Sequence, residues 1–148
     1  MSAYNNVSSN NQGRSYASQT PTPVQAEPLP AEYVDAAEQV ILGLDYRFAI
    51  TNTKLRNLFS MIAEIANEEN LRTEDRMLPQ SLTQLMQARI RMVYEAGRER
   101  SVKTFLQEAK LLEYLKDIGT DRQKLLRYSH YMEALVAYHR YYIGGKEK

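Results

Sequence analysis

Apolar residues recur at three- and four-residue intervals over most of the chain after Pro30, and no stretch sustains the alternation of a strand. That spacing gathers them on one face of a helix, so the pattern predicts an all-α protein. In AEYVDAAEQVILGLD, Tyr33 or Val34, Ala37, Ile41 and Leu44 share a face. Glu32 and Asp35 stand in the opening turn, where negative charge suits a helix N-terminus, and Gly43 weakens the end. After a connection from Tyr46 to Ile50, Thr51 or Thr53 caps a second helix with Leu55, Leu58, Phe59, Ile62, Ile65 and Ala66 inward, fraying near Asn70. The segment LRTEDRMLPQ follows as a charged connection, and Ser81 caps a third helix with Leu82, Leu85, Met86, Val93 and Ala96 inward. Ser101 caps a fourth, with Val102, Phe105, Leu106, Ala109, Leu112 and Leu115 inward and a stop at Gly119. Gly97 marks the joint between the two, unless one bent helix runs through it at a cost of about 1 kcal/mol relative to Ala. Asp121 caps the last helix, which ends at Gly144-Gly145. The expectation is a compact bundle of about five helices over residues 31–148.

Composition changes this picture at one end. Ser, Asn, Gln, Pro and Thr fill 18 of the first 30 positions. So polar a stretch buries too little apolar surface to offset the entropy of ordering it, which predicts a disordered tail over 1–30. The whole chain of 148 residues suits one domain, and at 43% hydrophobic it has enough apolar surface for a core. It contains no cysteine, excluding disulfides and thiolate metal sites. No apolar run approaches the roughly 18 residues of a membrane span. The N-terminus lacks an apolar secretory core, so the expected location is cytoplasmic, away from any membrane.

Catalytic patterns are absent from the reading. His130 and His139 stand nine residues apart on the last helix, which is neither a Glu-x-x-His nor a His-x-x-x-His arrangement. His139 shares the face of Met132, Leu135 and Val136 and reads as a packed histidine. No glycine-rich phosphate loop follows a strand, and the acids are scattered over charged faces. The expectation is a protein without enzymatic activity, cofactor or metal. Its eleven tyrosines are unusual, and five lie in the last helix: Tyr128, Tyr131, Tyr138, Tyr141 and Tyr142. The plain expectation is that Tyr128 and Tyr142 face the core while Tyr131 and Tyr138 flank it. An interface or a base-stacking surface are the other uses of so many tyrosines.

Charge placement carries more information than the net charge of +1. The joint QARIRMVYEAGRERSVKTF holds Arg89, Arg91, Arg98, Arg100 and Lys103 against Glu95 and Glu99. Helix N-termini carry partial positive charge and favour acids. The second helix instead opens TNTKLRN, with Lys54 and Arg56, and the fourth opens RERSVKTF. Cations, hydroxyls and free N–H groups together suit phosphate. Arg91, Arg98 and Arg100 point outward on the helical wheel. Arg89 projects toward the apolar side, and a buried guanidinium needs a partner, so it reads as a structural ion-pair residue before an RNA ligand.

The stretches YVDAAEQVI, TNTKLRNLFSM, RIRMVYEAGRERSVKTFL and RYSHYMEALVAYHRYYIGG resemble the small subunit of type III-A CRISPR effector (Csm) complexes. The resemblance spans most of the chain after Pro30, and the last two stretches are its specific part. The Ser/Asn/Pro tail has no counterpart in the core pattern, and Ile143 separates the final tyrosines from the glycines. The resemblance implies a non-catalytic helical bundle serving antiviral defence. Copies would stack head to tail beside the backbone subunits, with the large subunit as a further partner, lining the groove where guide RNA and target RNA pair. Base pairing then reads sequence, leaving the protein to contact backbone and shape. Matched by position, the RNA-facing residues are Lys54, Arg56, Arg98, Arg100 and Lys103, with Arg89, Arg91 and Arg140 as further candidates. Two other readings compete: a helical dimerisation or adaptor module using the tyrosine-rich last helix, and a helix-turn-helix DNA binder. The latter lacks the Asn/Gln-plus-Arg set of a base-reading helix.

Overall fold

A computed structural model describes residues 20–144. Six helices form there, one more than the hydrophobic pattern predicts: α1 (Tyr33–Leu42), α2 (Asn52–Glu69), α3 (Pro79–Arg98), α4 (Arg100–Ala109), α5 (Leu111–Ile118) and α6 (Arg122–Tyr142). Among the described residues no strand forms; the nearest approach is a bridge between Arg76 and Asp121. The all-α expectation holds.

The extra helix comes from dividing the predicted fourth one at Lys110, whose backbone is left-handed (φ 54°, ψ 39°). Breaking a helix strands carbonyls that water or side chains must satisfy. Here α6 does so: the Tyr131 hydroxyl donates to the Ala109 carbonyl and that of Tyr128 to the Leu111 carbonyl, each at 2.8 Å. Both tyrosines are buried, and burial pushes both phenol pKa values up, keeping the hydroxyls protonated as donors. Tyr131 is therefore core rather than flank, while Tyr142, expected inside, is exposed and bonds Glu38 on α1 at 2.6 Å.

Helix α6 runs through the middle, against α1, α2 and α5, while α3 packs on α2 and α4. Leu125, Met132 and Leu135 on α6 are fully buried, as are Leu55, Leu58, Ile62 and Ile65 on α2. The caps at Thr51 and Asp121 form as the sequence implies: Thr51 accepts from the Lys54 N–H, and Asp121 from those of Gln123 and Lys124. His139 is packed, its Nε2 hydrogen-bonded to the Ile50 carbonyl at 2.7 Å.

Helix α3 departs from expectation. It begins at Pro79, whose missing N–H costs nothing in a first turn, so Ser81 does not cap it. Ser81 is buried and donates to Glu69 at 2.6 Å. The inward face is Ser81, Leu85, Ala88 and Met92, leaving Met86 and Val93 exposed. Leu85 is buried as expected, and Leu82 and Ala96 pack partly buried on the core, but the small Ser81 and Ala88 share the inward face that Met86 and Val93 were expected to fill. Arg89 consequently lies at the edge, half-buried, and pairs with no acid among the described residues; the expected structural ion pair does not form. The break between α3 and α4 falls at Glu99, in extended conformation, and not at Gly97, which is helical. Glu99 occupies the N-cap position of α4, so Ser101 is not its cap.

Two connections are more ordered than their composition suggests. Between α2 and α3, buried Arg122 donates to the carbonyls of Glu74 (2.6 Å) and Glu69 (2.8 Å), clamping the charged loop onto the start of α6. Residues 20–30, part of the stretch read as a disordered tail, lie along α5 as an extended strap. The Glu27 N–H donates to the Glu113 carbonyl at 3.1 Å, Lys116 donates to the Val24 carbonyl, and Lys110 pairs with the Glu27 carboxylate at 3.0 Å. The rest of that stretch, 1–19, lies outside the described residues.

Candidate nucleic-acid interface

The antiparallel run of α2 and α3, closed at one end by the α3–α4 break, leaves a groove of about 640 Å³. Lys54 enters it from the first turn of α2, Arg91 and Arg98 from α3 about two turns apart. Leu58, Ile65, Ala88 and Val102 form the floor, and Asn57, Gln84 and Gln87 line the walls. The amides went unnoticed in the sequence because only the pairing of α2 with α3 brings positions 57, 84 and 87 together.

Each cation in the groove already has a carboxylate. Lys54 Nζ lies 3.2 Å from Glu99, which the chain fold carries across from the α3–α4 break. Glu95 serves two arginines at once, Arg91 at 3.2 Å and Arg98 at 3.7 Å, one helical turn to either side of it. Arg98 also lies over the Tyr94 ring, 5.7 Å from its centre. With Glu64, three acids face three cations. The α2 N-terminus, acid-free in sequence, thus receives its negative charge in space from Glu99, which satisfies part of the helix-dipole mismatch internally.

The remaining candidate cations do not join them. Arg100 lines a separate cavity with Arg47, Phe48, Ser101 and Thr104. Lys103 lines a third with Val24, Val93, Gly97 and Glu113. Arg56 and Arg140 are exposed outside all three, Arg140 in the last turn of α6. Arg89 lines none of them either. The single basic corner anticipated from the sequence divides over several faces because the α3–α4 break turns successive residues apart. Arg47 was missed: it pairs with Asp45 at 3.0 Å and lies over the exposed ring of Phe48. Its signal was the run Tyr46-Arg47-Phe48 in a connection too short to bury two aromatics.

On its outer side α3 presents Met86, Ile90, Val93 and Tyr94 to solvent, with Ile90 68% and Tyr94 58% exposed. No group of three or more potential metal-ligating side chains forms among the described residues, and no helix there is long and apolar enough to cross a membrane.

Fold and groove define a class: small helical bundles with an open groove lined by paired charges and amides. The particular family follows from comparison. The family model described as Csm2 Type III-A matches residues 30–145. The chain belongs to that family, the small subunit of type III-A CRISPR complexes. Among similar proteins, a CRISPR system Cms protein Csm2 from Mycobacterium tuberculosis (strain CDC 1551 / Oshkosh) is 46% identical over 121 residues, covering 79% of this chain and 95% of the relative. The protein of the same description from Streptococcus thermophilus is 37% identical over 119 residues, 78% of this chain and 93% of the relative. That from Enterococcus italicus is 32% identical over 100 residues, covering 65% and 70% respectively.

Proposed function

We propose that this chain is a non-catalytic, RNA-lining small subunit that stacks in several copies along the guide–target duplex of a cytoplasmic type III-A effector, in antiviral defence. Its partners are guide RNA, target RNA, the backbone and large subunits, and further copies of itself. The observation that carries the reading is the groove holding Lys54, Arg91 and Arg98 within one concave surface. Guanidinium and ammonium donors there suit phosphodiester oxygens, and amide side chains suit sugar hydroxyls. Contacts of this kind to backbone and sugar fit recognition of sequence delegated to pairing.

Arg91→Glu with Arg98→Glu, assayed in the assembled complex, tests it. The expected result is RNA binding weakened about equally for unrelated sequences and a shallower salt dependence, since each lost phosphate contact removes about 0.7 from the log–log slope on a single strand. Arg100→Glu with Lys103→Glu, Arg56→Glu, Arg89→Glu and Arg140→Glu probe the other faces the same way. Normal RNA binding with failed assembly would instead favour a second reading, a helical adaptor module without RNA binding. The exposed stripe of Met86, Ile90, Val93 and Tyr94 on α3 supports that alternative.

A further inference from the structure

The groove's charge balance has a functional consequence. Three cations at a polyanion site are ordinarily left bare to attract phosphate, yet here all three are held by two carboxylates, at 3.2, 3.2 and 3.7 Å. Neither carboxylate caps a helix through its side chain, and among the described residues neither forms an ion pair except with these cations. Glu95 lies on the groove side of α3, its side chain 21% exposed, and among the described residues it pairs only with Arg91 and Arg98. Glu99 projects from the α3–α4 break toward Lys54 and makes no side-chain cap to α4. The pairs are solvent-accessible and bridge flexible side chains, the kind that exchange partners at little net cost.

We propose that Glu95 and Glu99 are selectivity residues of this groove. With no ligand bound they occupy its cations as stand-ins for phosphate; RNA backbone displaces them, so only a ligand presenting several phosphates along one strand is retained. The proposal rests on the reading of the groove as an RNA contact. The physical reason is additive competition. A single phosphate exchanges one carboxylate partner for another and gains almost nothing. A strand engages Lys54, Arg91 and Arg98 together, having given up its independent motion only once, and releases counterions at each phosphate. The two glutamates thereby hold a short or stray anion below retention, while an extended backbone that engages all three cations still binds. Displaced, both carboxylates turn to water, which their exposure allows.

The test uses the full chain with Glu95→Gln and Glu99→Gln, which keep shape and remove charge. Binding is read by fluorescence anisotropy with an RNA strand of about 20 nucleotides of unrelated sequence, and with a dinucleotide carrying a single internucleotide phosphate, at low and moderate salt. Removing the charge of both glutamates, and with it three solvent-accessible ion pairs, predicts about three- to tenfold tighter binding of the long strand. The proportional gain for the dinucleotide should be smaller, because it displaces fewer carboxylate contacts, with thermal melting unchanged. Equal or weaker binding by the double variant overturns the proposal, as does a fall in melting temperature without a gain in affinity, which would make the pairs structural braces. A parallel variant, Lys54→Glu with Arg91→Glu and Arg98→Glu, separates the two failures. If it binds RNA as the unaltered chain does, the groove is not the RNA contact; if it binds more weakly while the glutamine variant gains nothing, only the selectivity role falls.

Discussion

Glu69 has no accessible surface, yet it serves as a charged hub. Burial raises its pKa, but hydrogen bonds from the Ser81 hydroxyl (2.6 Å), the Leu78 N–H (3.0 Å) and Arg72 (2.7 Å) outweigh burial and hold the carboxyl below the ordinary glutamate value. Glu69→Gln should cost about 2–4 kcal/mol in chemical denaturation, since it leaves Arg72 and the Leu78 N–H poorly matched. A depressed carboxyl pKa stabilises the fold fully above the unfolded-state value, roughly 4.3, and that contribution is lost as pH falls through the folded value. The native chain should therefore lose stability below about pH 4 by more than Glu69→Gln does, as melting across pH 3–7 will read. Leu135, fully buried, gives a simpler expectation: Leu135→Ala should cost about 2–5 kcal/mol by the same denaturation assay. Leu135 was legible in the sequence because a large apolar residue on an apolar face has one place to go. Glu69 was not, because a glutamate among LRTEDR neighbours has the composition of solvated surface.

At the scale of elements, α2 and α6 match their sequence signals closely, caps included, while α3 and the α4–α5 pair do not. The difference is physical. Thr51 and Asp121 act on N–H groups two or three residues away, so local sequence contains the whole interaction. The division at Lys110 is made tolerable by Tyr128 and Tyr131, which arrive from α6 and have no sequence proximity to it. Gly97 was read as the joint, yet it is helical, and a methyl added there would meet nothing within 4 Å. Gly97→Ala should accordingly stabilise the chain by about 0.5–1 kcal/mol, raising the denaturation midpoint without altering helical content. A loss of stability would return the joint to Gly97.

For the molecule as a whole, the strap over residues 20–30 and the dispersal of cations over several faces are the main results. Deleting residues 1–28 should lower the melting temperature by several degrees relative to deleting 1–19 alone. The difference removes the Glu27–Glu113 backbone bond, the Lys110–Glu27 pair and the Lys116–Val24 bond from α5. Equal melting of the two truncations would make the strap an ornament and restore Pro30 as the edge of the folded unit. The cations have a parallel logic: a run of arginines near one joint becomes a groove, a second cavity and a third, according to which way each residue leaves the break at Glu99.

What the sequence determined by itself was the helical class, most helix boundaries, the α2 face, the aliphatic part of the α6 face, and, through four stretches of residues, the family. These rest on interactions within one or two turns, or on residue strings specific enough to stand alone. Tertiary structure alone decided which tyrosines are buried, which way α3 faces, that Glu69 and Arg122 lie inside, and that Lys54 meets Glu99. Each of those couples residues tens of positions apart, where the free energy belongs to a contact and not to either residue. The groove belongs to both accounts: its cations were visible along the chain, but the carboxylates that hold them became partners only when α2, α3 and the α3–α4 break closed on one another.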